Sequence, residues 1–509
     1  MKSFLLTIFV FFQIHVIIGQ TSLQEIALKN GKFKVGFLHY TVSDSARTYS
    51  RINDFNNQTI PRPILVSLWY PSTQNTIATT PMKIVNYFEI LKKEEEWEYL
   101  PNEQLLNWFY YHNTPANQKH LQEQTTAYPK IEFANDKFPI IIYTPSLHAS
   151  AIENFALCEY LASNGYIVIA STSRGTESRW FNRNHEKNIE TQARDIEFLI
   201  WEITKSPNAD TNQIALMGFS FGGLSNIQVQ MRNTNIKAIV SLDGTERYQY
   251  ALLKKSPFFN IKKMNVPYIH MAQKDIPEKV LKEDNINSEL NTQFKLYDSL
   301  SKSKAYRLKF KNLTHSYFST LGVLFEKRDK RQDKSDSEIM ESYKWASVYT
   351  LNFLDAFLKN NTSALQFMNN TPLDNGIKNA LLLQSTKQPE KDVFTFQDFN
   401  ELASNKNYEN LLSLYKATKK KHPTLELPEG NLNTLGLQLV FRPDSSEKGI
   451  LILLFATKLY PDSANLFDSL AEAYLFLKNR EKAIENFEKS LELNSQNQNA
   501  INRLQQLKE

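Results

Sequence analysis

Ser220 stands at the centre of Gly218-Phe219-Ser220-Phe221-Gly222, a pattern in which a serine hydroxyl could act as a nucleophile. Glycine is scarce, 14 of 509 residues, yet Gly218, Gly222 and Gly223 lie within six positions. The apolar run QIALM precedes this turn and the helical pattern GGLSNIQVQMRN follows it. A G-x-S-x-G turn between strand and helix forces the serine into a strained conformation beside residues too small to clash. It exposes the hydroxyl and sets a helix N-terminus beneath the developing negative charge. Such a serine needs a base, and on this kind of elbow the partners follow in the order serine, acid, histidine. Three histidines come after Ser220. His422 belongs to a helical C-terminal region, and His270 lies inside the apolar run VPYIHM, where a core position is expected. His315, in KNLTHSYFS, begins a loop after the last strand pattern and is the expected base. Two acids qualify by position. Asp243 ends the strand pattern in IVSLDGT and Asp275 ends the next one in HMAQKDIP; position alone leaves them even. Asp-Gly is also an ordinary turn dipeptide.

The oxyanion formed by attack on a carbonyl needs two backbone N–H donors. One is expected from Phe221 and the other from Leu147, in the loop PSLHAS. His148 in that loop precedes Ser220 and is expected to line the site. Neither H-E-x-x-H nor a cluster of carboxylates occurs, and Cys158 is the single cysteine, so no metal and no cofactor is expected.

The elements that must position these residues are legible as alternating runs. Strand patterns begin at Ile64, Phe138, Tyr166, Gln213, Ile236, Val266 and Tyr306. Several are apolar on both faces, as parallel strands covered on each side must be. Helical patterns lie between them, such as ENFALCEYLASNG and a second with Ile189, Ala193, Ile196 and Ile200 on one stripe. This order predicts an α/β fold with a mostly parallel sheet and helices on both faces. Residues 82–130 interrupt it with Trp97, Tyr99, Trp108, Phe109, Tyr110 and Tyr111. They form either a lid-like wall over a substrate site or a helical pair on the sheet edge. The charged run from Phe325 reads as a solvated loop, after which a helix is expected over 339–358.

Both ends of the chain differ from this middle. One lysine and a nearly unbroken apolar run to Ile18 read as a secretory signal peptide over residues 1–20, cut near Gly19 or Gln20. A retained anchor is the alternative, the run being almost long enough to span a bilayer. Cleavage would leave no stable membrane span and place the protein outside the cell or in the periplasm. A secreted chain of this length without disulfides relies on a large core. A net charge of +5 with no basic block argues against a nucleic-acid role. Beyond Asn361 the pattern is helical. Phe467, Leu470, Ala471, Tyr474, Ala483 and Phe487 stand where a tetratricopeptide repeat, which the segment resembles, places its packing residues. The expected organisation is a catalytic domain over 21–360, a linker over 361–390, and an all-α tetratricopeptide-like domain over 391–509.

FKVGF, SDSARTY, RPILVSLWYPS, FPIIIYTPSLHAS, NGYIVIASTSRGT, GFSFGG, SLDGT and THSYFS follow one another over roughly residues 30–320. Together they resemble the platelet-activating-factor acetylhydrolase and dienelactone-hydrolase-like branch of the α/β-hydrolases. That resemblance implies Asp243 as the acid, because SLDGT matches the motif that carries it there. The sequence departs from the branch where its His-Gly pair is replaced by Pro145 and Ser146, in the oxyanion loop. The tetratricopeptide-like tail is also foreign to the acetylhydrolase pattern. The expected activity is hydrolysis of a small-molecule carboxylic ester or related acyl bond by a Ser220–His315–Asp243 triad. A peptidase or amidase with the same triad is one alternative. The other is an inactive hydrolase fold that binds a protein or peptide through its helical repeats.

Overall fold

The seven apolar runs above all fall in one ten-stranded sheet. The computed structural model describes residues 21–52, 56, 58–77, 79–181, 185–283, 286–325, 332–378, 381–390 and 394–508. The signal-peptide segment and part of the charged run after Phe325 lie outside the described residues. The chain divides into two units, Met1–Glu390 and Lys391–Glu509.

In the first unit the strands are β1 (Lys34–Ser50), β2 (Thr59–Ser72), β3 (Ala127–Pro129), β4 (Phe138–Thr144), β5 (Ile167–Ser171), β6 (Ala209–Phe219), β7 (Ile236–Leu242), β8 (Tyr268–Ala272), β9 (Ala305–Phe310) and β10 (Leu382–Lys387). Their order is β10-β9-β8-β7-β6-β4-β5-β2-β1-β3. From β5 to β9 every pairing is parallel, whereas β2 runs antiparallel to both β1 and β5. Side chains along a strand alternate between faces. Ile141, Tyr143, Ala215 and Met217 therefore enter one core, and Ile140, Ile142, Ile214 and Leu216 the other. The first face is covered by α1 (Ile84–Glu94), α2 (Phe155–Ser163) and α5 (Asp336–Leu358). The second is covered by α3 (His185–Ile203), whose Ile189, Ala193 and Ile196 are buried, and by α4 (Phe221–Gln230).

Two segments differ from the sequence reading. Residues 361–390, expected as a linker, hold a helix, Thr362–Asn369, and the edge strand β10, antiparallel to β9. Only Leu382 of that strand is buried, so it lacks the apolar alternation that would announce it. Residues 82–130 begin with α1, whose Ile84, Tyr87 and Phe88 are core residues, and end in β3 on the sheet edge.

The second unit contains seven α-helices among the described residues, from Phe396–Ser404 to Gln498–Lys508. Leu470, Ala471, Tyr474, Ala483 and Phe487 are buried together with Ala500 and Leu504. Phe467 is only half-buried, and its neighbour Leu466 takes the inward position.

Candidate active site

Strand β6 ends at Phe219 and α4 begins at Phe221, leaving Ser220 alone to reverse the chain. It does so at φ 53° and ψ −119°, strained for a residue with a Cβ. The turn closes because Gly222 has no side chain: a Cβ there would fall on the carbonyl oxygen of Thr144, at the end of β4. A Cβ on Gly218 would likewise meet the Asn226 side chain and the Gly222 carbonyl group. The scarce glycines are thus spent where three backbone segments cross.

Ser220 Oγ lies 2.8 Å from His315 Nε2, and His315 Nδ1 lies 2.6 Å from Asp243 Oδ2. His315 opens a short 3-10 turn, His315–Phe318, just beyond β9, and its ring packs 5.1 Å from that of Phe219. Asp243 follows β7 at φ 41° and is fully buried; its Oδ1 accepts from the Gln273 N–H at 3.0 Å. Burial alone would push this carboxyl up. The His315 hydrogen bond and charge, followed by the charges of Arg247 and His270, hold it below the usual carboxylate range. It can therefore accept from the imidazole as a carboxylate.

The other candidates are engaged elsewhere. Asp275 is exposed and accepts from Lys309 Nζ at 2.6 Å. His270 is buried, with Nδ1 2.9 Å from Ser241 Oγ. His422 stacks on Phe394 in the second unit.

Phe221 occupies the first turn of α4, where an amide has no intrahelical acceptor. Leu147, Ser220 and His315 line one cleft of about 910 Å³. His148, at φ 59°, lies edge-on to Phe181 in the same cleft wall, and burial pulls its imidazole below the usual range. Trp97, Trp108, Phe109, Tyr110 and Tyr111 of the 82–130 segment complete the wall with Trp180.

Several supporting residues carried no sequence signal. Gln192, on α3, donates to the Pro145 carbonyl at 3.1 Å and accepts from Ser225 of α4 at 2.6 Å. It thereby ties the loop that begins at Pro145 to helix α4. Thr144 and Asn226 make a second tie at 2.8 Å. Asn154 donates to the Phe318 carbonyl at 2.9 Å and accepts from Thr320 and Tyr343, anchoring the turn that carries His315. These are single polar residues on separate elements, and no local motif marks them.

Comparison with known families adds an independent observation. Residues 127–301 match the dienelactone hydrolase family, and residues 18–201 match platelet-activating factor acetylhydrolase, isoform II. This chain is an α/β-hydrolase of that branch. Among solved structures, the hydrolase is similar to a ferulic acid esterase from Streptomyces cinnamoneus, at 18% identity and a TM-score of 0.48. That similarity covers 67% of this chain and 94% of the esterase. No curated protein gives a significant match. Among the described residues of the hydrolase, no group of His, Cys, Asp and Glu could hold a metal ion, and no helix is long and apolar enough to cross a membrane.

Proposed function

We propose that this hydrolase cleaves small-molecule carboxylic esters through an acyl-enzyme on Ser220. The observation that carries the reading is the continuous relay from Ser220 Oγ through His315 to the buried Asp243, opening into an aromatic cleft. Ser220 Oγ attacks the carbonyl carbon while its proton passes to His315 Nε2. The resulting oxyanion accepts from the N–H groups of Phe221 and Leu147. The imidazolium then protonates the departing alcohol oxygen as the ester C–O bond breaks. Water attacks the acyl-enzyme, gives its proton to His315, and releases the acid with Ser220 restored. Asp243 holds Nδ1 protonated so that Nε2 faces the serine in its basic form. The families matched are named for ester and lactone hydrolysis, which favours an ester over an amide. The size of the cleft and its aromatic rings suit an acyl or alcohol group larger than acetate.

A fluorophosphonate probe tests this reading. It should label the wild type and leave Ser220→Ala unlabelled, and the wild type should turn over aryl esters. A wild type that neither labels nor hydrolyses any of them abandons the enzyme reading. The N-terminal apolar run supports export with cleavage near Gly19 or Gln20. N-terminal sequencing of the exported protein tests that part, and a retained Met1 would contradict it.

A further inference from the structure

The loop that carries Leu147 begins with Pro145 and Ser146, and a buried acid holds it through Ser146. The holder is Glu153, on the short turn Ala151–Asn154 behind the loop. It is 7% exposed, and both carboxyl oxygens are engaged. Oε1 accepts from the Ser146 N–H at 2.7 Å and from the Tyr143 hydroxyl at 2.8 Å; Oε2 accepts from the Ser146 hydroxyl at 2.7 Å.

We propose that Glu153 is a positioning residue for the oxyanion donor: by gripping Ser146 it aims the Leu147 N–H at the substrate carbonyl oxygen. The inference rests on the serine hydrolase reading above. Its geometry follows from the peptide groups on either side of Ser146. The Pro145–Ser146 peptide is fixed at both ends, its N–H on Glu153 and its carbonyl on Gln192. The carbonyl of the next peptide, Ser146 O, accepts from the Ala149 N–H at 3.1 Å. A trans peptide points its N–H opposite to its carbonyl, so the Leu147 N–H faces away from the turn. Leu147 lines the cleft that contains Ser220. A donor of this kind stabilises an oxyanion only when it is aimed before the charge develops.

Burial pushes the Glu153 carboxyl up to about 7, against the pull of its bonds to Ser146 and Tyr143. Either protonation state keeps an acceptor for the Ser146 N–H, so the grip is one of hydrogen bonding.

The test compares wild type, Glu153→Leu and Glu153→Gln. It measures kcat and KM on an aryl ester, melting temperature, and Ki for a trifluoromethyl ketone analogue that forms a tetrahedral adduct with the serine. Glu153→Leu should lower kcat by about 10- to 100-fold, with Ki raised by the same factor. KM should stay within about twofold, because binding of the ground state is untouched. Glu153→Gln should regain most of the loss, since its amide oxygen still accepts from the Ser146 N–H and its NH2 can donate to the Ser146 hydroxyl. If Glu153→Leu does not fold, Ser146→Ala carries the test. It should lower kcat by about threefold or more with a parallel rise in Ki. A folded Glu153→Leu, or in its place Ser146→Ala, with kcat and Ki at wild-type values overturns the inference while leaving an active hydrolase. So does a loss that falls on KM and melting temperature with Ki unchanged. A wild type that neither labels nor turns over ends the hydrolase reading and this inference with it.

Discussion

Asp243 Oδ2 lies 2.6 Å from His315 Nδ1, while Asp275, one strand further along the sheet, is held at the surface by Lys309. Asp243→Asn should lower kcat by about 10³- to 10⁴-fold, because the amide favours the wrong imidazole tautomer. Asp275→Asn should stay within about twofold, since it loses only an exposed ion pair. Steady-state kinetics on one aryl ester decides this, and a collapse confined to the Asp275 variant would reassign the acid.

Asn154 is fully buried and joins Phe318, Thr320 and Tyr343. Asn154→Ala takes the partner from the Phe318 carbonyl and the Thr320 N–H, while the Thr320 and Tyr343 hydroxyls still meet at 2.7 Å, and should cost about 1–3 kcal/mol of stability. Because Phe318 belongs to the turn that carries His315, kcat should fall as well. Denaturant melts and kinetics on the same preparation check both. Unchanged turnover would show that the histidine turn is held without this anchor.

Glu94 on α1 is fully buried, and burial pushes its carboxyl to about 7, against the pull of Ser150, Thr172 and Arg174. Folding therefore favours its protonated form. Its contribution is fully present below an unfolded value near 4.5 and is lost as pH rises through about 7. Glu94→Gln mimics the protonated acid and removes that dependence. Relative to wild type, the variant should gain up to about 3 kcal/mol between pH 4.5 and pH 8. Melts at both pH values measure the difference, and an identical offset at each would refute it.

Trp180 is half exposed on the cleft wall, with the Arg179 guanidinium 4.5 Å from its ring centroid. Trp180→Ala should raise KM for aromatic or long-chain acyl esters by about five- to tenfold. On an acetate ester, both kcat and KM should stay within about twofold. Equal effects on both substrates would remove Trp180 from acyl recognition.

Much of the setting of Ser220 was legible in the sequence because it is local. Strand, tight turn and helix follow one another without a gap around Ser220, and glycines appear where a Cβ would strike the neighbouring backbone. The central strands were legible for a related reason. A strand buried on both faces must be apolar throughout, as Ile140, Ile141 and Ile142 are. The edge strand β10 buries one residue and left no such trace.

The chain by itself determined that a serine elbow exists, that a single downstream histidine is well placed to serve it, and that two acids sit at strand ends. Only the tertiary structure sets one of those acids beside the histidine, because sheet order and loop path bring Asp243 rather than Asp275 against His315. Tertiary structure also placed Glu153, Asn154 and Gln192 around the two loops that flank Ser220. Gln192 and Asn154 satisfy groups on distant segments, and Glu153 reaches back to Ser146 and Tyr143 across a turn; single polar contacts of this kind leave no periodic pattern in a sequence.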